Sequence, residues 1–195
     1  GIGDTYAKYY EATISSRGEK LEHFTALGGA VNRMCWNPQI QYGPKALEDH
    51  EKGLCTYDVE QVVLAIVVTT GIASIFLTKD YTPDYNSGLA HAVFYAMTSY
   101  PVIEERHLHG EVVGFGILLA LLVDRQYDEF EKIYRLNQAV DLPVSLEDIE
   151  ITEEQWEECM ERIPDMSDVA HYPYSVTKEM LTEAMDRLRE RVRKD

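Results

Sequence analysis

SGLAHAVFYAMTSYPVIEERHLHGEVVGFGILLALLV, residues 87–123, decides how the chain folds. Before Tyr100, the residues Leu89, Ala90, Val93, Phe94 and Met97 recur at the spacing that lines one face of a helix. Pro101 interrupts the pattern, because it has no N–H and crowds the residue before it. A second helix can begin around His109 and Gly110. From 112 to 123 it is apolar on every side, so it is expected to run buried through the middle of the domain. His91 then lies within one buried helix and His109 at the start of the next. Imidazole at a protected site suits Zn or Fe, and two such groups supply half of a four-coordinate site. The plainer reading is a pair of hydrogen-bonded core histidines. No HExxH occurs and no third His or Cys follows at ligand spacing, so a carboxylate from elsewhere would have to complete a metal site.

Working outward, a first helix is expected over about 4–14, with Tyr6, Ala7, Tyr10 and Ile14 as its apolar face. Asp4 stands at its start after two glycines. The local pattern favours an N-cap, whose carboxylate accepts free N–H groups of the first turn. The alternative is that Asp4 is the missing carboxylate ligand. Residues 23–34 read as helix despite Gly28 and Gly29, and Trp36-Asn37-Pro38 and Gly43-Pro44 read as loop, with a short helix from Lys45. A long helix over about 59–77 is expected to end at Tyr81-Thr82-Pro83. Its apolar run, 62–77, falls short of the ~20 residues of a membrane span and is expected as a buried core helix.

Downstream, 126–140 carries Tyr127, Phe130, Ile133 and Tyr134 on one face, and Thr152 with Gln155 forms a capping box for the next helix. Thr177 caps a last helix whose stripe is Met180, Leu181, Ala184, Met185, Leu188 and Val192. No alternation of period two and no internal repeat is found. The class is all-α, with roughly seven to nine helices in one domain, 1–195. Gly110, Gly114 and Gly116 are explained by close helix packing, and His23 and His50 by exposure among charged neighbours.

The 195 residues suffice for one core. A net charge of -16 without a basic stripe argues against nucleic acid. Three widely spaced cysteines, Cys35, Cys55 and Cys159, and no visible signal peptide lead to an expectation of reduced thiols in the cytoplasm, away from membranes. No GxGxxG after a strand, GxxxxGK[ST] or GxSxG is present. The start at Gly1-Ile2-Gly3, without Met, reads as a cut inside a longer protein.

Three segments carry a resemblance. GIGDTYAKYYEA at 1–12, SGLAHAV at 87–93 and HGEVVGFG at 109–116 resemble the iron-containing (group III) alcohol dehydrogenase superfamily. The nearest branch looks like glycerol dehydrogenase and its relatives acting on hydroxycarboxylates. DVAHYPYSVTKEMLTEAM also resembles their C-terminal segment. The resemblance implies the helical, metal-binding C-terminal domain of an NAD(P)-dependent dehydrogenase, with the N-terminal NAD-binding domain absent from this chain. It implies Asp4, His91 and His109 as the metal ligands and catalytic set, Zn before Fe as the ion, an alcohol, polyol or hydroxy acid as substrate, and a homo-oligomer. Where relatives have a second His after the first ligand, this chain has Phe94 and then Tyr95. Glu111 either orients His109 or caps its helix, and His107 faces the cleft or solvent. Dehydroquinate synthase shares the scaffold but has Glu as its first ligand, so Asp4 favours the dehydrogenase over that lyase. A metal-free helical interaction domain is the alternative from another class.

Overall fold

A computed structural model describes residues 1–78 and 85–195. Among the described residues there are nine α-helices and no strand. They are α1 (Ile2–Ser15), α2 (His23–Glu51), α3 (Tyr57–Leu77), α4 (Leu89–Met97), α5 (Pro101–Arg106), α6 (His109–Val123), α7 (Tyr127–Ala139), α8 (Glu153–Arg162) and α9 (Lys178–Val192).

Helix α6 is the axis of the domain. Every residue from Val112 to Val123 is buried, and α1, α4, α7 and α9 pack around it. The absence of any polar face leaves it no stable position other than a fully surrounded one. Pro101 does end one helical run, and it opens α5 at the first position, where its missing N–H costs nothing. The capping box at Thr152 and Gln155 and the Thr177 cap both form. The glycines of α6 set how closely its neighbours approach. A Cβ on Gly3 would sit 2.1 Å from the carbonyl oxygen of Gly110, and one on Gly116 would sit 2.8 Å from Cα of Ala90. Backbones meet directly at both crossings: the start of α1 lies against the start of α6, and the start of α4 against the middle of α6.

Three expectations need correction. Trp36-Asn37-Pro38 and Gly43-Pro44 do not form a loop: α2 is one helix that runs through both prolines. Each interior Pro removes a ladder bond and costs ~3 kcal/mol. The helix persists because it is clamped between α1 and α3, with Gly28, Asn32 and Cys35 at the contacts, and meets the end of α7 at Gly43. Second, α3 is not a buried core helix. It buries Val62, Ala65, Ala73 and Leu77, whereas Val67 and Ile75 are 68% and 74% exposed. A π-helical turn at Ala65–Thr69, where the Thr70 N–H bonds the Ala65 carbonyl, interrupts the α-helical ladder of α3. By length and composition alone, α3 is long and apolar enough to cross a membrane. It ends at Leu77, and the expected stop at Tyr81-Thr82-Pro83 lies outside the described residues. Third, Asp4 caps nothing. Gly1 is the N-cap of α1 and Asp4 the third helical residue, with no capping bond from its side chain.

At the far end, Asp124 ties α6 to the loop after α1. Its buried carboxylate accepts from both terminal nitrogens of Arg17 (2.9 and 2.5 Å), from Tyr174 Oη (2.8 Å) and from Gln126 Nε2 (2.7 Å). Burial pushes the carboxyl up, but these donors outweigh it and its pKa lies below the ordinary value. A depressed carboxyl stabilises the fold above its unfolded pKa of about 4, and this contribution is lost as pH falls through the folded value. We expect Asp124→Asn to lower stability at pH 7 by about 1–3 kcal/mol. Below pH ~4 the gap between variant and parent should close. Urea titrations at both pH values read this directly.

Candidate metal centre

Asp4, His91 and His109 converge. Asp4 projects from the first turn of α1, His91 is the third residue of α4 and His109 the first of α6. Oδ1 of Asp4 lies 3.6 Å from Nε2 of His91 and 3.5 Å from Nε2 of His109. One donor atom from each residue falls within 4.8 Å of the other two. Atoms bound tetrahedrally to one ion at ~2.0–2.1 Å stand ~3.3–3.5 Å apart, so two of the three separations already match a first-row divalent cation. His91 is almost buried, while the side chains of Asp4 and His109 are 32% and 43% exposed. The cluster is therefore closed on the core side and open on the other, which leaves room for a further ligand. The two ring centroids are 5.3 Å apart, and the Phe94 ring stands nearly perpendicular to that of His109 with centroids 4.4 Å apart.

Electrostatics follow from this placement. Burial pushes the Asp4 carboxyl up, but hydrogen bonds with His109 and His91 overcome it and hold the group well below the carboxylate range. Burial pushes His91 down, but the charge of Glu11 and hydrogen bonds with Asp4 and Glu11 reverse this and raise it to about 10. A ring so placed among carboxylates is poised to carry positive charge, and a divalent cation is a chemical alternative to that proton.

The structure separates the remaining candidates. The Glu111 carboxylate accepts the Leu108 N–H (2.9 Å) and so caps α6, with no contact to His109 among the described interactions. His107 is neither exposed nor part of the cluster: its Nε2 lies 3.4 Å from Glu150 and its Nδ1 3.7 Å from Glu111. His23 and His50 are exposed. Sequence reasoning missed Glu11, which is fully buried and accepts from His91 twice, at Nδ1 (2.6 Å) and at the backbone N–H (3.0 Å). A signal was present: Glu11 lies seven residues after Asp4, two turns along the same face, between the core residues Tyr10 and Ala12.

No protein-family model matches the chain. Glycerol dehydrogenase of Escherichia coli O6:H1 is 30% identical over 165 residues, covering 79% of this chain and 41% of that protein. The Pseudomonas putida glycerol dehydrogenase is 31% identical with the same coverages. Hydroxycarboxylate dehydrogenase A of E. coli K12 is 30% identical over 77% of this chain and 41% of the relative. The chain thus spans about two-fifths of the length of these curated relatives. A crystal structure of glycerol dehydrogenase from Schizosaccharomyces pombe superposes with a TM-score of 0.80 at 22% identity, over 99% of this chain and half of that one. A probable glycerol dehydrogenase from Sinorhizobium meliloti gives 0.79 at 24%. Among its described residues the chain is all-helical and shares the fold of these structures. In sequence it is similar to glycerol dehydrogenases and to a hydroxycarboxylate dehydrogenase.

Proposed function

We propose that this chain is the C-terminal, metal-binding half of an NAD(P)-dependent polyol dehydrogenase, with Asp4, His91 and His109 as the ligands of one divalent cation, Zn before Fe. The observation that carries the reading is the convergence of one carboxylate and two imidazoles at three helix starts. The donor set fits either ion, and its two nitrogens and one oxygen leave positions for a substrate hydroxyl. When bound, the ion would supply Lewis acidity that lowers the pKa of an alcohol. The chain's own residues do the rest. Asp4 supplies the one negative charge of the set. Phe94 places an apolar ring beside His109. A glycerol-like vicinal diol is the substrate class, and hydroxycarboxylates are the second reading, supported by the hydroxycarboxylate dehydrogenase relative. The relatives reported above are dehydrogenases, which weighs against lyase chemistry. The cytoplasm and a homo-oligomeric assembly remain part of the proposal.

The nicotinamide belongs to the other half of the protein. Hydride transfer needs reacting atoms held about 3–3.5 Å apart, which half a cleft does not arrange. The 195-residue chain is therefore expected to retain one zinc, to bind no NAD in calorimetry and to leave glycerol, 1,2-propanediol and 2-hydroxybutyrate unoxidised. Turnover by the chain alone would refute the assignment of the nicotinamide site to another domain. A purified chain without affinity for zinc or iron would favour a metal-free interaction domain.

A further inference from the structure

We propose that Glu11 is the positioning residue of this centre: it fixes the ring of His91 so that Nε2 faces the cation, and thereby sets metal affinity. This rests on the reading of Asp4, His91 and His109 as ligands. Glu11 comes from α1 and is fully buried. Its Oε1 accepts the His91 N–H at 3.0 Å and its Oε2 meets Nδ1 of the same residue at 2.6 Å. The first bond anchors the carboxylate to the start of α4, so the second holds the ring at a fixed angle. An ionised carboxylate only accepts, and Nδ1 must therefore carry the hydrogen. In the neutral ring this leaves the lone pair on Nε2, the nitrogen that points towards Asp4. A carboxylate behind a ligating histidine also makes the ring a stronger donor to a metal. Gly88 makes the approach possible: a Cβ there would lie 3.2 Å from Cγ of Glu11 and 2.9 Å from Cε1 of Tyr172.

A plain capping role is the competing account, because Glu11 and Tyr172 each accept one free N–H of α4, the latter from Leu89 at 3.0 Å. The two accounts part on substitution. In Glu11→Gln the amide oxygen can keep the His91 backbone N–H, which has no alternative state. The NH2 then faces Nδ1 and donates to it, which moves the ring hydrogen to Nε2 and aims it at the metal position. Tyr172→Phe removes the neighbouring cap and leaves the ring hydrogen where it was.

Zinc affinity is measured on the 195-residue chain by competition with a chelator, alongside the melting temperature. Glu11→Gln is expected to weaken zinc by ~10–100-fold. Tyr172→Phe is expected to lower the melting temperature while zinc affinity stays within a few-fold. Equal zinc affinity in Glu11→Gln and the parent, or an equal loss in Tyr172→Phe, overturns the proposal. Should Glu11→Gln not fold, 15N NMR of histidine-labelled, zinc-loaded parent decides: hydrogen on Nδ1 and zinc on Nε2 of His91 support it, and the reverse overturns it. A parent chain that binds no zinc refutes the ligand assignment itself, which is distinct from a parent that binds and a variant that binds equally well.

Discussion

Val113→Asp should abolish the cooperative fold or leave it barely stable. Val113 is fully buried on α6, and α1, α4, α7 and α9 enclose that helix. A carboxylate there would be enclosed in a helix buried without a break from Val112 to Val123. An unpaired buried charge costs several kcal/mol, and ~4 kcal/mol or more is expected here. Domains of this size have only about 5–15 kcal/mol in total. Protonation of the new carboxyl reduces the loss, so the variant should be less unstable at pH 4 than at pH 7. The control is Ile75→Lys in α3. Ile75 is equally apolar but 74% exposed, near a helix C-terminus where a cation is favourable. It should change stability by no more than ~0.5 kcal/mol. Urea denaturation followed by circular dichroism compares the two. Similar midpoints for Val113→Asp and the parent would show that α6 is not the core.

The contrast between these two helices explains how much of the fold was legible. Helix α6 has one consistent reading because its composition, its flanking start signal and its glycines all demand enclosure. Helix α3 is equally apolar, but composition does not say whether partners exist for every face. Only its inner edge meets α2, and the π-helical turn at Ala65–Thr69 leaves no mark in the residue pattern. The prolines of α2 misled for a related reason. Local propensity penalises Pro38 and Pro44, but contacts with α1 and α3, remote in sequence, offset that cost.

The candidate site divides the same way. His91 and His109 stood out as polar groups in apolar surroundings. Asp4 was ambiguous, because a carboxylate near a helix start serves a cap as well as a cluster. The structure settles its register: with Gly1 as the N-cap, the Asp4 side chain turns to the two imidazoles. For Glu11 the sequence offers only its place on the inward face of α1, and burial of a carboxylate becomes evident only once the element opposite it is known. The start of α4 is 80 residues away from it in sequence. Phe94 was noted as a departure from the family pattern, and its contact with the His109 ring shows what stands beside the cluster in its place.

His109→Ala should strip the metal while leaving the fold nearly intact, and this makes it the cleanest probe of the centre. His109 is the first residue of α6, and its side chain meets Asp4 and Phe94 without capping the helix. The cap comes from Glu111 through the Leu108 N–H, which the substitution does not touch. With 43% of the side chain exposed, truncation leaves no sealed cavity. His91→Ala would be less informative, because it removes the ring from a fully buried Glu11 and leaves that charge unpaired. Loss of His109 reduces the ligand set to Asp4 and His91. The fall in affinity should exceed the ~10–100-fold that loss of an outer partner brings. Metal that binds only the folded state also raises its stability, by about 4 kcal/mol at a thousand times Kd. Zinc should therefore raise the melting temperature of the parent chain and have little effect on the variant, whereas the two zinc-free proteins should melt within a few degrees of each other. Equal zinc content in parent and variant, at matched folding, would remove His109 from the ligand set.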